Sequence, residues 1–327
     1  MKAPRGHREE GAALLAVLLL VALIATLAVL ALDRLGLATR LAGNARAIDQ
    51  ARSYAYGGEA LASLIAADLT DRGRGDMTAR PEWRDAERVI PVEGGMIRAR
   101  LSDGGNCFNL NSVVQGDVFS GWKARRQGID QFRTLLLVLG VPQPRAQAIS
   151  AALGDWVDSD TTTAPGGAED ESYARAAIPY RAANTLIGDP SELRTVAGVT
   201  PAIYKRVRPW VCAFNSAELA AININTIRPD QAPLLAMQFG GRLSISQAAA
   251  IIRSRPATGW ESVEKFTADR LGGLANVTGL NPALDIRTRW FALDLDVTVD
   301  GAQVRERALI DAGIPPPRVV MRQWGAE

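Results

Sequence analysis

Six carboxylates crowd one stretch of the chain. DWVDSDTTTAPGGAEDESY, residues 155–173, carries Asp155, Asp158, Asp160, Glu169, Asp170 and Glu171, and no Lys or Arg lies between Arg145 and Arg175. Asp155 and Asp158 stand three apart, the spacing of one helix face, at the end of the run AQAISAALGDWV. Gly166–Gly167 lets the chain fold back and present Glu169 to them. Carboxylates without counter-charges repel one another unless water solvates them or a hard cation bridges them, and calcium takes six to eight oxygens in flexible geometry. The spacing is not that of an EF-hand. On these residues alone the stretch reads as a solvated acidic loop, with a cation site as the alternative.

Other reactive side chains are scarce. The only histidine is His7, in a charged stub at the N-terminus, so histidine-based triads and most zinc sites are excluded if that stub is removed. The chain is therefore not read as an enzyme. Two cysteines, Cys107 and Cys212, are expected to pair if the body is exported to an oxidising compartment; the alternative is two buried thiols. The formal net charge of +2 over 327 residues, without a strongly basic block, argues against a general nucleic-acid binder.

Which compartment the body occupies depends on its first element. Lys2, Arg5 and Arg8 precede Gly11, and Ala12–Leu32 is then free of charge. Those 21 residues span about 30 Å as a helix, the thickness of a bilayer's hydrocarbon core. The run exceeds the 7–15 residues usual in a secretory signal, and the basic stub favours a cytoplasmic N-terminus with an exported body. Beyond Leu32 the pattern turns amphipathic, and despite Gly43 and Gly57–Gly58 one long helix is expected to continue to about Leu69. TDRGRGDMTARPEW (70–83) reads as a loop, and VIPVEGGMIRARLSDGG (89–105) as a hairpin turning at Gly94–Gly95. From about Val114 to Leu284 the texture is helical. Alternation returns in RWFALDLDVTVDG, VRERALIDAG and PRVVMRQWG, with a hairpin signal at Asp300–Gly301. The expected topology is a long transmembrane N-terminal helix packed on a small antiparallel sheet, with a large all-α domain inserted between strands: an α/β fold. The expected segments are a leader at 1–11, the helix in halves at 12–33 and 34–72, an α/β domain from 73–113 and 286–327, and the insertion at 114–285.

The N-terminus resembles that of type IV pilin-like proteins, which are cut after the glycine on the cytoplasmic side and keep the hydrophobic helix. In that family a glutamate usually stands at mature position five; here it is Ala16, a departure characteristic of the K-type minor pseudopilins of type II secretion systems. The order of leader, FNLN segment (108–111), W-x-D-x-D loop (156–160), paired helical units and C-terminal strands is similar to that family along nearly the whole chain. The resemblance makes the expected α/β fold pilin-like and implies prepilin-peptidase cleavage between Gly11 and Ala12, with methylation of the new terminus. It implies calcium held by Asp155, Asp158, Asp160 and Glu169, with Asp170 and Glu171 as further candidates. It also implies a place in the Gram-negative inner membrane, as a single-pass protein with its body in the periplasm, at the tip of a pseudopilus whose assembly it helps to start. The implied partners are I-type and J-type minor pseudopilins, the H type, the prepilin peptidase, the inner-membrane assembly platform and the lipid bilayer, with no nucleic acid. One alternative remains. SELRTVAGVTPAIYKRVRPWV (191–211) and the segment 224–266 look like helix-hairpin-helix units, which in a membrane-anchored DNA receptor of the competence type would offer backbone N–H groups to phosphates. The turns AGVTP and FGGRLS are not the usual glycine–apolar–glycine, and the basic residues near them are few.

Overall fold

The computed structural model describes residues 7–71, 86–272 and 282–325; the leader residues 1–6 and the loop expected over 70–83, from residue 72 on, lie outside these. The chain runs α1 (His7–Asp71), β1 (Glu87–Val92), β2 (Gly95–Asp103), β3 (Phe108–Asn109), β4 (Val114–Asp117), β5 (Gly121–Ala124), α2 (Arg126–Val138) and α3 (Gln143–Val157). It continues through α4 (Asp170–Tyr173), α5 (Pro201–Val207), β6 (Val211–Cys212), β7 (Ile222–Asn223), α6 (Ala232–Met237), α7 (Ile245–Arg253) and α8 (Val263–Arg270). The last elements are β8 (Leu284–Asp285), β9 (Trp290–Val299), β10 (Ala302–Asp311) and β11 (Arg318–Trp324).

Five antiparallel strands form the main sheet in the order β1-β2-β9-β10-β11. The β9–β10 turn places Asp300 and Gly301 at positive φ, 47° and 82°, which suits the Asp-Gly pair of a tight hairpin. Strict alternation in β9 sends Leu293, Leu295 and Val297 to one face, where α1 covers them. The helix meets them with small side chains, Ala51, Ala55, Ala62 and Ala66, spaced so that they share one face. Gly58 belongs to that stripe: a Cβ there would lie 3.1 Å from Leu295 Cδ1, so the glycine lets helix and sheet approach closely. Below this contact the apolar segment from Ala12 onward is exposed throughout and long and apolar enough to cross a membrane.

The helical domain is attached between β2 and β9. It is not helical throughout: β4 and β5 form a hairpin, and two pairs of two-residue strands, β3–β6 and β7–β8, run parallel inside it. These pairs expose an internal repeat. In each half an Asn-x-Asn segment leaves the first short strand, and the chain returns to the second through a set of helices. Asn111 accepts from Ile187 N–H at 2.7 Å and donates to Ile187 O at 2.9 Å. Asn225 does the same to Trp260, at 2.7 and 2.9 Å. Each buried amide thus takes the place of a neighbouring strand for one residue of a loop that would otherwise bury unpaired backbone groups.

The two domains are locked where the chain crosses between them. Half-buried Asp103, at the end of β2, accepts from Gly105 N–H (2.7 Å), Thr226 Oγ1 (2.6 Å), Thr288 Oγ1 (2.7 Å) and Asn223 Nδ2 (3.1 Å). Cys107 and Cys212 are joined in a disulfide with Cα atoms 5.8 Å apart, and Phe214 stacks on Trp290 beside it at 4.3 Å. Tyr54 Oη reaches Glu93 O in the β1–β2 turn, and Gly58 lies under Leu295. The other end of these strands, at Asp103 and Trp290, therefore points toward the C-terminal end of α1. The helical domain stands at the end of the molecule away from the apolar segment.

Candidate metal centre

The last turn of α3 delivers the acidic stretch. Asp155 lies inside that turn and Asp158 closes it, donating its N–H to Gly154 O at 2.9 Å. Ser159 pins the next step to β5: its N–H donates to Trp122 O and its Oγ accepts from Trp122 N–H, both at 2.8 Å. Asp160 is exposed and accepts from Thr162 N–H at 2.7 Å. After the glycine pair the chain returns to place Glu169, buried, just before α4. Trp156 and Tyr173 meet edge to face at 5.1 Å and give the two ends of the stretch a common floor.

One carboxylate oxygen from each of Asp158, Asp160 and Glu169 lies within 4.8 Å of the other two. Asp158 Oδ1 and both oxygens of Glu169 are buried without a hydrogen-bond partner. Burial first, and then the charges of Asp160, Asp155 and Glu169, push the Asp158 carboxyl up to about 7. Glu169 is also pushed up to about 7, by burial and then chiefly by Asp155. Buried groups of this kind demand protons or a counter-ion. A closely spaced, all-oxygen donor set with orphaned buried atoms and one exposed member fits a hard divalent cation such as calcium.

Of the four residues read as ligands, the structure gathers Asp158, Asp160 and Glu169; Asp155 stands beside them. Asp155 Oδ2 accepts from Ala164 N–H at 3.1 Å, so this carboxylate shapes the loop. A Cβ on Gly167 would fall 2.0 Å from the same oxygen, so only glycine fits against it. The further candidates are engaged elsewhere: Asp170 accepts from Ala182 N–H at 3.0 Å and Glu171 pairs with Arg175. At the N-terminus, Gly11 and Ala12 lie within the unbroken α1. Sequence reading missed the four structural asparagines, Asn109, Asn111, Asn223 and Asn225. Their signal was the match of Phe-Asn-Leu-Asn (108–111) to Ile-Asn-Ile-Asn (222–225). In the hairpin turn that could have met a phosphate, Gly198 packs over Ile149 of α3, where a Cβ would lie 3.1 Å from Ile149 Cγ1.

Comparison with known proteins agrees with this architecture. Residues 106–216 and 222–287 match two family models, each described as type II secretion system (T2SS), protein K, and the boundary between them falls between the two structural repeats. A type II secretion system protein K from Pectobacterium carotovorum subsp. carotovorum is 36% identical over 97% of this chain and 97% of its own length. A protein of the same name from Klebsiella pneumoniae is 36% identical over 98% of this chain and 97% of its own. The crystal structure of a GspK–GspI–GspJ complex from the type 2 secretion system of enterotoxigenic Escherichia coli contains a chain that superposes with a TM-score of 0.70 at 29% identity, covering 85% of this chain and 97% of that one. The competence-type alternative finds no support among these relatives.

Proposed function

The chain belongs to the type II secretion system protein K family, and from that membership we propose that it is a minor pseudopilin at the tip of a periplasmic pseudopilus. There it initiates assembly and so supports export of folded proteins across the outer membrane. One observation carries the reading. An apolar helix with no partner among the described residues is joined to a helical domain standing at the opposite end, above the sheet. The bare helix offers apolar surface to a bilayer and then to neighbouring helices, while a large domain at the far end suits a subunit with nothing stacked above it. Ala16 agrees with that place, because a terminal subunit has no N-terminal amine above it for a glutamate to neutralise.

In this reading a prepilin peptidase removes residues 1–11 and the new Ala12 terminus is methylated. The protein sits in the Gram-negative inner membrane with its N-terminus cytoplasmic and its body periplasmic. Its neighbours are I-type and J-type pseudopilins, as in the complex that the similar Escherichia coli chain forms, then the H type and the inner-membrane assembly platform. Asp158, Asp160 and Glu169 hold calcium, which neutralises their mutual repulsion and ties the end of α3 to the start of α4, with Asp155 bracing the loop. The role is architectural. The test is co-expression of the full chain with the I-type and J-type proteins of its own system, followed by detergent extraction and affinity purification through a tag on this chain. Co-elution of both as one complex on a sizing column is expected. Recovery of this chain without them would reject the assignment.

A further inference from the structure

The sheet face turned away from α1 is charged. Asp294 and Asp296 point to it, because Leu293, Leu295 and Val297 between them are buried under the helix. The register sets Arg98 and Arg305 on either side of Asp296, and Arg100 and Arg307 on either side of Asp294. The row of Arg98, Asp296 and Arg305 carries one positive charge more than it neutralises, while in the row of Arg100, Asp294 and Arg307 the Glu87 of β1 opposite Arg100 balances the charge. Arg305 and Arg307 take the two aspartates at 3.2 and 3.0 Å, and Arg100 faces Glu87 at 3.7 Å. Arg98 has no ion-pair partner among the described residues. Arg194 and Arg208 belong to the helical domain and line the opposite wall of the same cleft. Arg194 lies over the Tyr204 ring at 5.8 Å; against the effect of burial, hydrogen bonds from Ser191 together with the charge of Arg208 hold the Asp189 carboxyl below its ordinary value. The cavity between the walls is about 1280 Å³, and a hydrogen bond from Gln323 Nε2 to Asp189 Oδ2, 3.2 Å, bridges them.

We propose that this cleft receives an extended acidic segment of another protein chain. The volume exceeds the roughly 300–1,000 Å³ of small-molecule pockets, which points to a chain rather than a metabolite. Arg98 on the sheet wall and Arg194 and Arg208 on the helical wall let one strand of carboxylates bridge the sheet and the helical domain at once. The carboxylates interspersed with them, Glu87, Asp189, Asp294 and Asp296, would repel a nucleic-acid backbone with a phosphate at every step, yet can accept the N–H groups of a peptide. Single exposed ion pairs contribute little, so binding draws on several together and is sensitive to salt. This surface is separate from the acidic loop and does not depend on the place of the protein in a pseudopilus.

The test uses the full chain in detergent and a fluorescein-labelled peptide of about twelve residues alternating Glu and Gly, followed by anisotropy. Saturable binding at about 0.05 M salt is expected, falling roughly tenfold or more at about 0.5 M. The double variant Arg98→Glu/Arg208→Glu should weaken it by about tenfold or more. Arg253→Glu, on α7 and outside the cleft, should leave it unchanged, and Asp296→Asn should tighten it. Melting curves for each variant separate lost binding from lost folding. No saturable binding, equal affinity in the double variant, equal loss with Arg253→Glu, or no gain with Asp296→Asn would overturn the proposal. So would a labelled single-stranded DNA that binds more tightly than the peptide and is lost in the same double variant, an outcome that would assign the cleft to nucleic acid.

Discussion

Asp158 and Glu169 are buried with no cationic side chain paired to them among the described residues, and calcium is the proposed counter-ion. Its binding free energy then becomes folding free energy: at a free concentration a hundredfold above the dissociation constant it contributes about 2.7 kcal/mol. For a domain of this size that is about 5–10 °C in melting temperature. Chelation is expected to lower the melting temperature of the helical domain by that order, and Asp158→Ala to abolish the response in calorimetry. An identical melting temperature with and without calcium would leave a solvated loop. A second cluster obeys the same electrostatics with a different outcome. Arg322 of β11 pairs with Glu59 of α1, lies 3.3 Å from Glu306 of β10, and stacks over Tyr56 at 4.8 Å. One cation serves two buried carboxylates. Burial, and then Glu59, push Glu306 up to about 8, while Arg322 holds Glu59 below its ordinary value despite burial. Folded Glu306 therefore keeps its proton at pH values where the unfolded chain has lost it. Stability should decline as pH rises from about 4.5, the ordinary value, to about 8, and level off beyond. Glu306→Gln should flatten that decline in melting curves taken across the interval; an unchanged slope would place the titration elsewhere.

At the scale of elements, α1 decides where everything else works. Gly11 and Ala12 are consecutive residues of one helix that continues for sixty residues into the sheet contact, so cleavage between them leaves the anchor whole. N-terminal sequencing of the membrane-extracted protein is expected to begin at Ala12. A start at Met1, or beyond Leu32, would contradict processing as a pilin. Elements were legible in the sequence where one physical rule acted alone. The two-residue period of 290–299 gave β9, Asp300–Gly301 gave its turn, and the apolar run gave α1. The helical block was legible only as texture. Strands of two residues such as β3 and β7 have no periodicity to read, and their pairing is enforced by Asn109, Asn111, Asn223 and Asn225 through hydrogen bonds to loops far along the chain. The acidic loop was legible in its chemistry but not in its division of labour. Asp155 and Asp158 look equivalent in sequence, and only the fold shows one braced by Ala164 N–H while the other is left with an orphaned oxygen. The disulfide ties the residue before β3, Cys107, to Cys212 in its partner strand β6. It closes a separation of 105 residues, which in the chain-entropy model contributes up to about 4.7 kcal/mol to the domain junction.

On the scale of the molecule, two halves with opposite demands are fixed to one another. The exposed apolar half of α1 is stable only when surrounded, by lipid or by the helices of neighbours. The helical domain needs no such cover: its core of Phe132, Leu135, Leu136, Ile149 and Leu153 is closed by its own helices, and the Asp103 network with the disulfide binds it to the sheet. A helical filament of pseudopilins requires each subunit to accept another both below and above. In the proposed assembly this chain offers the lower surface, and the inserted domain covers the upper end of its sheet. It should therefore enter a pseudopilus once and at one end. In sheared pseudopili from cells that overproduce the major subunit, gold-labelled antibody against the helical domain is expected at a single tip of each filament. Regularly spaced label along the length would show that the domain can be accommodated inside the packing, and the proposed capping role would fall with it.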